Sequence, residues 1–316
     1  MVNSLAKRLV AEFARRLPPR ARRAVLREIC RVASPADAYD AFQALGRRFG
    51  VEDVRVPGEY GVIEGALADT AILATYAQTR RWAAGLAHLV DGFFEGRSTG
   101  TYIDIGANIG LTTIPVARRG PIACKAFEPE PRTFRYLQTN LRRNCPGADV
   151  EAFNLALSDR RGTVAFELAD DNLGDNRIRL TDDDGSFGEA ARRVIDVSTD
   201  RLDDVLSVAD LAQPIAVKID TQGAECRIVE GGRGVLTAAS MLAFEFWPYG
   251  TRRMASDPHR LIGFVAAQFA SGAMLGAETE EMPDWRPIGA LVEQLRTFAV
   301  RGLDQPYATC DVVVRK

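Results

Sequence analysis

Asp104, Gly106, Asn108 and Gly110 place a carboxylate, a small amide and two glycines at alternate positions of one short stretch. Glycines there permit a tight turn and close approach of the backbone to a ligand. A helix opening just beyond them offers free N–H groups to a carboxylate or a phosphate. Glu128 stands 22 residues past Gly106, in Phe127-Glu128-Pro129-Glu130-Pro131. An acidic residue at that distance can accept hydrogen bonds from both hydroxyls of a ribose. A dinucleotide fingerprint needs glycine at 108 and glycine or alanine at 111, whereas this chain has Asn108 and Leu111. The missing second glycine is the one that admits pyrophosphate. A nucleoside that carries a carboxylate and no pyrophosphate suits these residues, and S-adenosyl-L-methionine is such a molecule.

A second set of polar residues lies downstream. Lys218-Ile219-Asp220 ends an apolar run and is followed by Gly223 and Glu225. Alternate strand residues share a side, which puts Lys218 and Asp220 together at the strand end. A carboxylate there can act as a base or orient an acceptor. Pairing of Lys218 with Asp220 or Glu225 is the purely structural alternative. Glu245 closes another apolar run, before Trp247-Pro248-Tyr249. Asp220 and Glu245 have the chemistry of a Mg²⁺ pair, but no histidine or third carboxylate joins them in the sequence, and no metal site is expected. His259, after Asp257-Pro258, is a candidate base on the loop behind the fifth strand. The acidic run Asp182–Asp184 lacks the spacing of a calcium loop and reads as a solvated turn.

These residues need strands that end side by side. The pattern predicts core strands at Thr101–Ile105, Ile122–Phe127, Val150–Asn154, Ile215–Asp220, Met241–Phe246, Ala273–Ala277 and Cys310–Arg315. Helical patterns separate the early ones, and Pro131 opens a helix with Phe134, Leu137 and Leu141 on one face. Alternation of this kind predicts an α/β fold with a mostly parallel sheet, whose ligands sit beyond the carboxyl ends of the strands. Pro115 falls about one turn into the helix after the glycine loop, where it should bend it. The 57 residues from Ser158 to Pro214 are too many for a simple connection and predict a hairpin-type insertion, with strands at Thr163–Leu168 and Arg193–Val197. Residues 51–98 read as a bridging or lid segment, with a strand near Tyr60–Glu64 and a helix over Thr70–Val90.

Composition bounds the rest. The chain has 316 residues, 47% hydrophobic and 26% charged, with a formal charge of -2, as expected of a globular protein that does not bind nucleic acid. Residues 1–31 depart from that balance, with nine basic residues against Glu12 and Glu28. Leu5, Leu9, Phe13 and Leu17 share a helical face, Pro18-Pro19 breaks it, and Ser34-Pro35 caps a further helix through Phe49. This basic helical N-terminal extension, residues 1–50, reads as a solvated helical extension that can also contact a membrane surface or an acidic partner. Five scattered cysteines with no C-x-x-C pair fit a reducing, cytoplasmic setting and core packing, and no stretch predicts a membrane span.

Residues 100–246 resemble the FkbM-type methyltransferases. The blocks run in order: Tyr102–Leu111, Ala126–Pro131 with Leu137 and Asn140, Asn154–Gly162, Ser198–Asp204, Val217–Glu225 with Val229, Gly231 and Leu236, and Leu242–Glu245. The resemblance implies a class I methyltransferase domain over residues 99–316, a Rossmann-like seven-stranded sheet whose last strand is antiparallel. It implies that Asp104, Gly106, Asn108 and Gly110 hold the methionyl end of S-adenosyl-L-methionine, that Glu128 holds the ribose, and that Ala156, Leu157 and Ser158 border the adenine. Asp220, Glu245 and His259 are the candidate catalytic residues. The expected reaction is O-methylation of a hydroxyl on a sugar, glycan or natural product. The alternatives are an NAD-type oxidoreductase and a non-catalytic cofactor-fold module tethered by its basic N-terminus. No motif identifies the acceptor or the oligomeric state.

Overall fold

The computed structural model describes residues 51–82, 84–275 and 283–316, together with Pro18, Ala21, Tyr39, Asp40, Phe42, Gln43, Gly46, Arg47 and Gly50. The basic leader and most of the helix expected up to Phe49 lie outside the described residues, as does Cys30. Two compact units are distinguished: Met1–Trp82 with Asp170–Asn172, and Ala83–Ala169 with Leu173–Lys316. The division falls at 82/83, within the expected bridging segment 51–98.

In the first unit, β1 (Asp53–Gly58) and β2 (Gly61–Ala66) form an antiparallel hairpin closed between Gly58 and Gly61. Val54 and Val56 alternate inward along β1, the pattern of a half-buried strand. Helix α1 (Ile72–Thr79) begins where the Asp69 carboxylate accepts the N–H groups of Ala71, Ile72 and Leu73. It stops at Arg80, whose φ of 68° is left-handed. The single helix expected across Thr70–Val90 is therefore two helices, α1 and α2 (Ala84–Phe93).

The second unit is built on an eight-stranded sheet in the order β13-β12-β14-β11-β10-β3-β4-β5. Its parallel part comprises β3 (Thr101–Ile105), β4 (Ala123–Phe127), β5 (Val150–Phe153), β10 (Ile215–Ile219) and β11 (Met241–Phe246). Every residue of β3 and β10 is buried, as expected of central parallel strands covered on both faces. β14 (Cys310–Arg315) runs antiparallel to both β11 and β12 (Ser271–Leu275). The seven expected strands are present; β12 begins two residues earlier than read, positions 276 and 277 of the expected strand lie outside the described residues, and the two-residue β13 (Arg286–Pro287) adds an eighth at the edge.

Helix α3 (Thr113–Ala117) follows the glycine loop and is only five residues long. Pro115 thus sits in the first turn of a five-residue helix, a place where proline is tolerated. Helix α4 (Pro131–Asn144) is capped by Glu130, whose carboxylate accepts the Thr133 N–H at 2.6 Å. The insertion is a second sheet of β6 (Ala156–Leu157), β7 (Gly162–Leu168), β8 (Arg177–Ile178) and β9 (Arg193–Asp200), ordered β6-β9-β7-β8. Its long β7–β9 pair is the expected hairpin-type core. The short helix α5 (Leu202–Val205) leads back to β10. Helices α6 (Glu225–Gly231) and α7 (Arg233–Ala238) then join β10 to β11. Helices α8 (Pro248–Arg253) and α9 (Pro258–Gln268) join β11 to β12, and α10 (Ile288–Asp304) precedes β14. Among the described residues no helix is long and apolar enough to cross a membrane, and Cys124, Cys145, Cys226 and Cys310 are free and buried.

Candidate active site

The glycine loop is folded tightly against the end of β10. Gly106 has φ +80°, and a Cβ there would lie 1.9 Å from the Asp220 carbonyl oxygen, so only glycine fits. Gly110, at φ +93°, leaves no room beside Leu137 Cδ1, which a Cβ would meet at 2.9 Å. Between them Asn108 takes a left-handed φ of 49°, which a short polar side chain tolerates. Its Oδ1 accepts the Ile109 N–H at 2.9 Å and its Nδ2 donates to Leu173 O at 3.2 Å, linking the loop to the insertion. From below, buried Asn140 of α4 donates to Ile109 O at 3.0 Å.

Asp104, wholly buried at the end of β3, does not face the loop's exterior. Its Oδ2 accepts the hydroxyls of Thr112 and Thr113 at 2.7 and 2.6 Å. Its Oδ1 makes no hydrogen bond and lies 3.4 Å from Lys218 Nζ. Asp104 thus shapes the loop and carries buried negative charge beneath it.

Glu128 ends β4 with both carboxylate oxygens in use. Oε2 accepts the Asn108 N–H at 3.1 Å and Oε1 accepts the Glu130 N–H at 2.9 Å. Burial pushes its pKa up from the ordinary 4.5 to about 8; nearby Glu130 adds to the rise, and the two N–H groups oppose it. Each carboxylate oxygen has a second lone pair, so this acceptor pair fits two ribose hydroxyls as donors. Asn154 Nδ2 donates to the carbonyls of Glu128 and Pro129, both at 2.9 Å, and fixes the turn. Ala156, Leu157 and Ser158 follow on the small sheet. There Ala156 and Leu157 pair with Thr199 and Asp200 of β9, the Ser158 N–H donates to Asp200 O, and Ser158 O abuts Gly231. The structure thus brings Asp104, Gly106, Asn108, Gly110 and Glu128 together, and holds Ala156–Ser158 by their own sheet.

Lys218 is the hub that the sequence left undecided. It is 4% exposed and donates to Gly106 O at 2.9 Å, with Asp104 Oδ1 at 3.4 Å and Asp220 Oδ2 at 3.5 Å. Its partners are therefore Asp104 and Asp220, and not Glu225. Burial alone would lower its pKa, but those carboxylates outweigh it and raise the pKa above that of a free lysine. Glu225 instead closes the loop before α6, accepting the Thr221 N–H and hydroxyl and the Gly223 N–H. Asp220 is the open member, with its side chain 41% exposed and Gln222 Nε2 donating to its Oδ1 at 3.1 Å.

Glu245 Oε1 accepts the Thr309 hydroxyl at 3.1 Å, and its Oε2 is buried with no hydrogen-bond partner. Burial, then the charges of Asp220, Glu225 and Asp311, raise its pKa well above the carboxylate range. Asp311 is the register partner of Glu245 across β11 and β14. Burial, then Asp220, pushes its pKa to about 6. Asp311 is a third carboxylate that the sequence did not reveal, because only the antiparallel register brings it there. Among the described residues no three His, Cys, Asp or Glu side chains gather closely enough to hold a metal ion.

His259 does not join this group. It lies within α9, not on a loop, in the first turn after the N-cap Asp257. Its Nδ1 lies 2.9 Å from Asp257 Oδ1, which also accepts the His259 N–H, and its ring is half exposed. Beside Gln222, a small depression of about 10 Å³, enough for one water, lies between β8 and α8, lined by Glu167, Arg177, Arg179, Gly250 and Arg253 among others. The insertion is tied to α8 there, where the Ser186 N–H donates to the Tyr249 hydroxyl at 2.7 Å and Phe187 packs edge-on to Trp247 and Tyr249.

The chain is 28% identical over 158 residues to the 2-O-methyltransferase NoeI of Sinorhizobium fredii, covering 46% of this chain and 62% of that protein. It is 26% identical over 142 residues to the hexuronic acid methyltransferase AglP of Haloferax volcanii, covering 45% of this chain and 54% of that one. This chain thus matches little more than half the length of each. Among solved structures, an O-methyltransferase from Bacillus cereus in complex with S-adenosylhomocysteine matches with a TM-score of 0.39 and 13% identity, over 77% of this chain and 88% of that chain. The Pyrococcus abyssi tRNA (uracil-54, C5)-methyltransferase, in complex with S-adenosyl-L-homocysteine, gives a TM-score of 0.41 and 13% identity, over 84% and 44%. The family description "Methyltransferase FkbM domain" matches residues 104–268, more than half of the chain, from the glycine loop through α9. Family membership and the donor set together support S-adenosylmethionine as the cofactor. The chain belongs to the FkbM methyltransferase family.

Proposed function

We propose that this protein is an S-adenosylmethionine-dependent O-methyltransferase acting on a hydroxyl of a sugar, glycan or related natural product. The observation that carries the reading is the seam between the glycine loop and the end of β10, where Gly106 packs on the Asp220 carbonyl and Lys218 ties Asp104 to Asp220. That seam sets a cofactor cradle directly against a half-exposed carboxylate. The cofactor supplies an electrophilic methyl group. The loop of Gly106, Asn108 and Gly110 would hold its methionyl end, Glu128 its ribose, and Ala156–Ser158 its adenine. Asp220 would orient the acceptor hydroxyl and take its proton, with Glu245 behind it. His259 is left out, because its ring is engaged by Asp257.

The acceptor class is supported by the relatives, one named a 2-O-methyltransferase and the other a hexuronic acid methyltransferase. We assign acceptor selection to the insertion and to the segment around α8, with the protein working as a cytoplasmic enzyme that needs no nucleic acid. The test is transfer from S-adenosylmethionine carrying a labelled methyl group to a panel of uronic acids, oligosaccharides and hydroxylated natural products. Label recovered in a base-stable ether, and reduced at least tenfold by Asp220→Asn, is the expected result. Label in an amine, or none with any acceptor despite bound cofactor, would contradict it.

A further inference from the structure

The loop from α10 into β14 holds an aromatic ring out in the open. Gln305 O accepts the Ala308 N–H at 2.8 Å, closing a turn with Pro306 in its second position, where proline is favoured, and Tyr307 in its third. Trp247 Nε1 donates to Pro306 O at 2.6 Å and pins that turn from the end of β11. Just past the turn, the Thr309 hydroxyl reaches Glu245. Tyr307 is nevertheless 77% exposed, the most open of the large apolar side chains among the described residues. Phe187 of the insertion packs edge-on to it, with ring centroids 4.8 Å apart, and itself leans on the buried Trp247 and Tyr249 at 5.8 and 5.7 Å. An open ring gains the fold little by burial, yet three elements fix this one in place: the β14 approach, the end of β11 and the insertion.

The turn stands at the edge of the sheet where the candidate chemistry lies. β14 starts opposite the end of β11, with Cys310 paired to Phe246, so the residues before Cys310 sit at the carboxyl edge of the parallel strands. β10 ends at the same edge, with Ile219 aligned to Phe244, and Asp220 follows directly. We propose that Tyr307 is an acceptor-binding residue, whose ring, backed by Phe187, stacks on the C–H face of a pyranose and turns the hydroxyl rim of that sugar toward the edge carrying Asp220. This inference rests on the sugar O-methyltransferase reading given above and names the residue that would hold the sugar.

A pyranose has two kinds of surface, an apolar face of C–H groups and a rim of hydroxyls. An aromatic ring covers the first, and a half-exposed carboxylate such as Asp220 accepts from the second. The extent of the patch selects this occupant. The chain neighbours of the two rings are exposed and polar or small, Ser186 and Gly188 beside Phe187, Gln305 and Thr309 near Tyr307. The open apolar area is therefore about that of one ring, far short of the roughly 800 Å² that a protein partner covers. Because the turn is closed by its own hydrogen bond and pinned by Trp247, little order remains to be gained when a sugar docks.

The test is saturation-transfer NMR on the full chain with methyl β-D-galactoside, methyl β-D-glucuronide and sorbitol, an acyclic polyol that has no ring face. Wild type should transfer saturation to the ring C–H protons of both glycosides and not to sorbitol. Tyr307→Ala should lower that transfer about fivefold, and Tyr307→Phe should keep it, because the ring and not its hydroxyl makes the contact. Urea unfolding of each variant separates loss of the platform from loss of the fold, and the midpoint of Tyr307→Ala should match wild type. Equal transfer in wild type and Tyr307→Ala, equal transfer to sorbitol, or none to either glycoside in wild type would overturn the proposal and leave the cofactor reading intact. Transfer that depends on Tyr307 in a protein that binds no S-adenosylmethionine would overturn the cofactor reading and leave the sugar platform.

Discussion

At the scale of single residues, charge balance around the glycine loop turns on Lys218. Its ammonium is buried against Asp104 and Asp220, and Asp104 has no other cation within reach among the described residues. Replacing Lys218 by Met should destabilise the fold by about 3–5 kcal/mol in urea denaturation, because it strands a buried carboxylate. Adding Asp104→Asn to that variant should cost less than the sum of the single changes, since the stranded charge is then gone. Glu128 makes a prediction about pH. In the unfolded chain it ionises near the ordinary 4.5, but in the folded protein it keeps its proton up to about 8. The folded state therefore binds more protons across that window, and stability contributed by this group falls as pH rises from 4.5 to 8. Glu128→Gln should flatten that part of a stability-against-pH curve; an unchanged slope would contradict the burial argument. The sequence pointed to Glu128 and Asp220 because each closes an apolar run before turn residues. It could not reveal the Lys218–Asp104 pair or Asp311, which are partners only through strand register.

At the scale of elements, the insertion is held by buried ion pairs beside α8. Arg177 of β8 donates to Glu167 at 2.9 Å, to Asp175 at 2.5 Å and to Glu189 at 3.0 Å, and its guanidinium lies 5.0 Å from the Trp247 ring centroid. Arg177→Leu leaves those acids short of a cation and should cost about 3–5 kcal/mol, read by urea unfolding. Local loss of order should be confined to residues 162–200, visible as faster amide exchange in β7–β9 with β3 and β10 unaffected. Helix boundaries show what local sequence does and does not say. Pro131 after Glu130 was legible as a helix start, and the same signal at Asp257-Pro258 marks α9, which makes His259 a first-turn residue and not a loop base. Pro115 presented a conflict only while the helix was taken to open at the glycine loop; starting at Thr113, α3 accommodates it. The break at Arg80 carries no such signal, since a left-handed arginine is set by the hairpin packed on Tyr76.

At the scale of the whole molecule, the architecture follows from a few apolar runs of five or six residues. They are too short for helices, and so apolar on both faces that they must be central strands. Their order, with β10 beside β3 and β14 inserted antiparallel next to β11, places the ends of β3, β10 and β11 and the start of β14 side by side and so gathers Asp104, Lys218, Asp220, Glu245 and Asp311. The strand expected near Tyr60–Glu64 is β2, whereas its partner β1 and the edge strand β13 were not legible, being short and fixed by tertiary pairing. The central claim is that the loop from Asp104 to Gly110 and Glu128 together bind S-adenosylmethionine. It is tested most directly by calorimetric titration of wild type and Glu128→Ala with S-adenosylmethionine, with NAD as the control ligand. The account predicts saturable binding of S-adenosylmethionine, weakened at least tenfold in the variant, and no binding of NAD. Binding of NAD, or undiminished affinity for S-adenosylmethionine in folded Glu128→Ala, would contradict it.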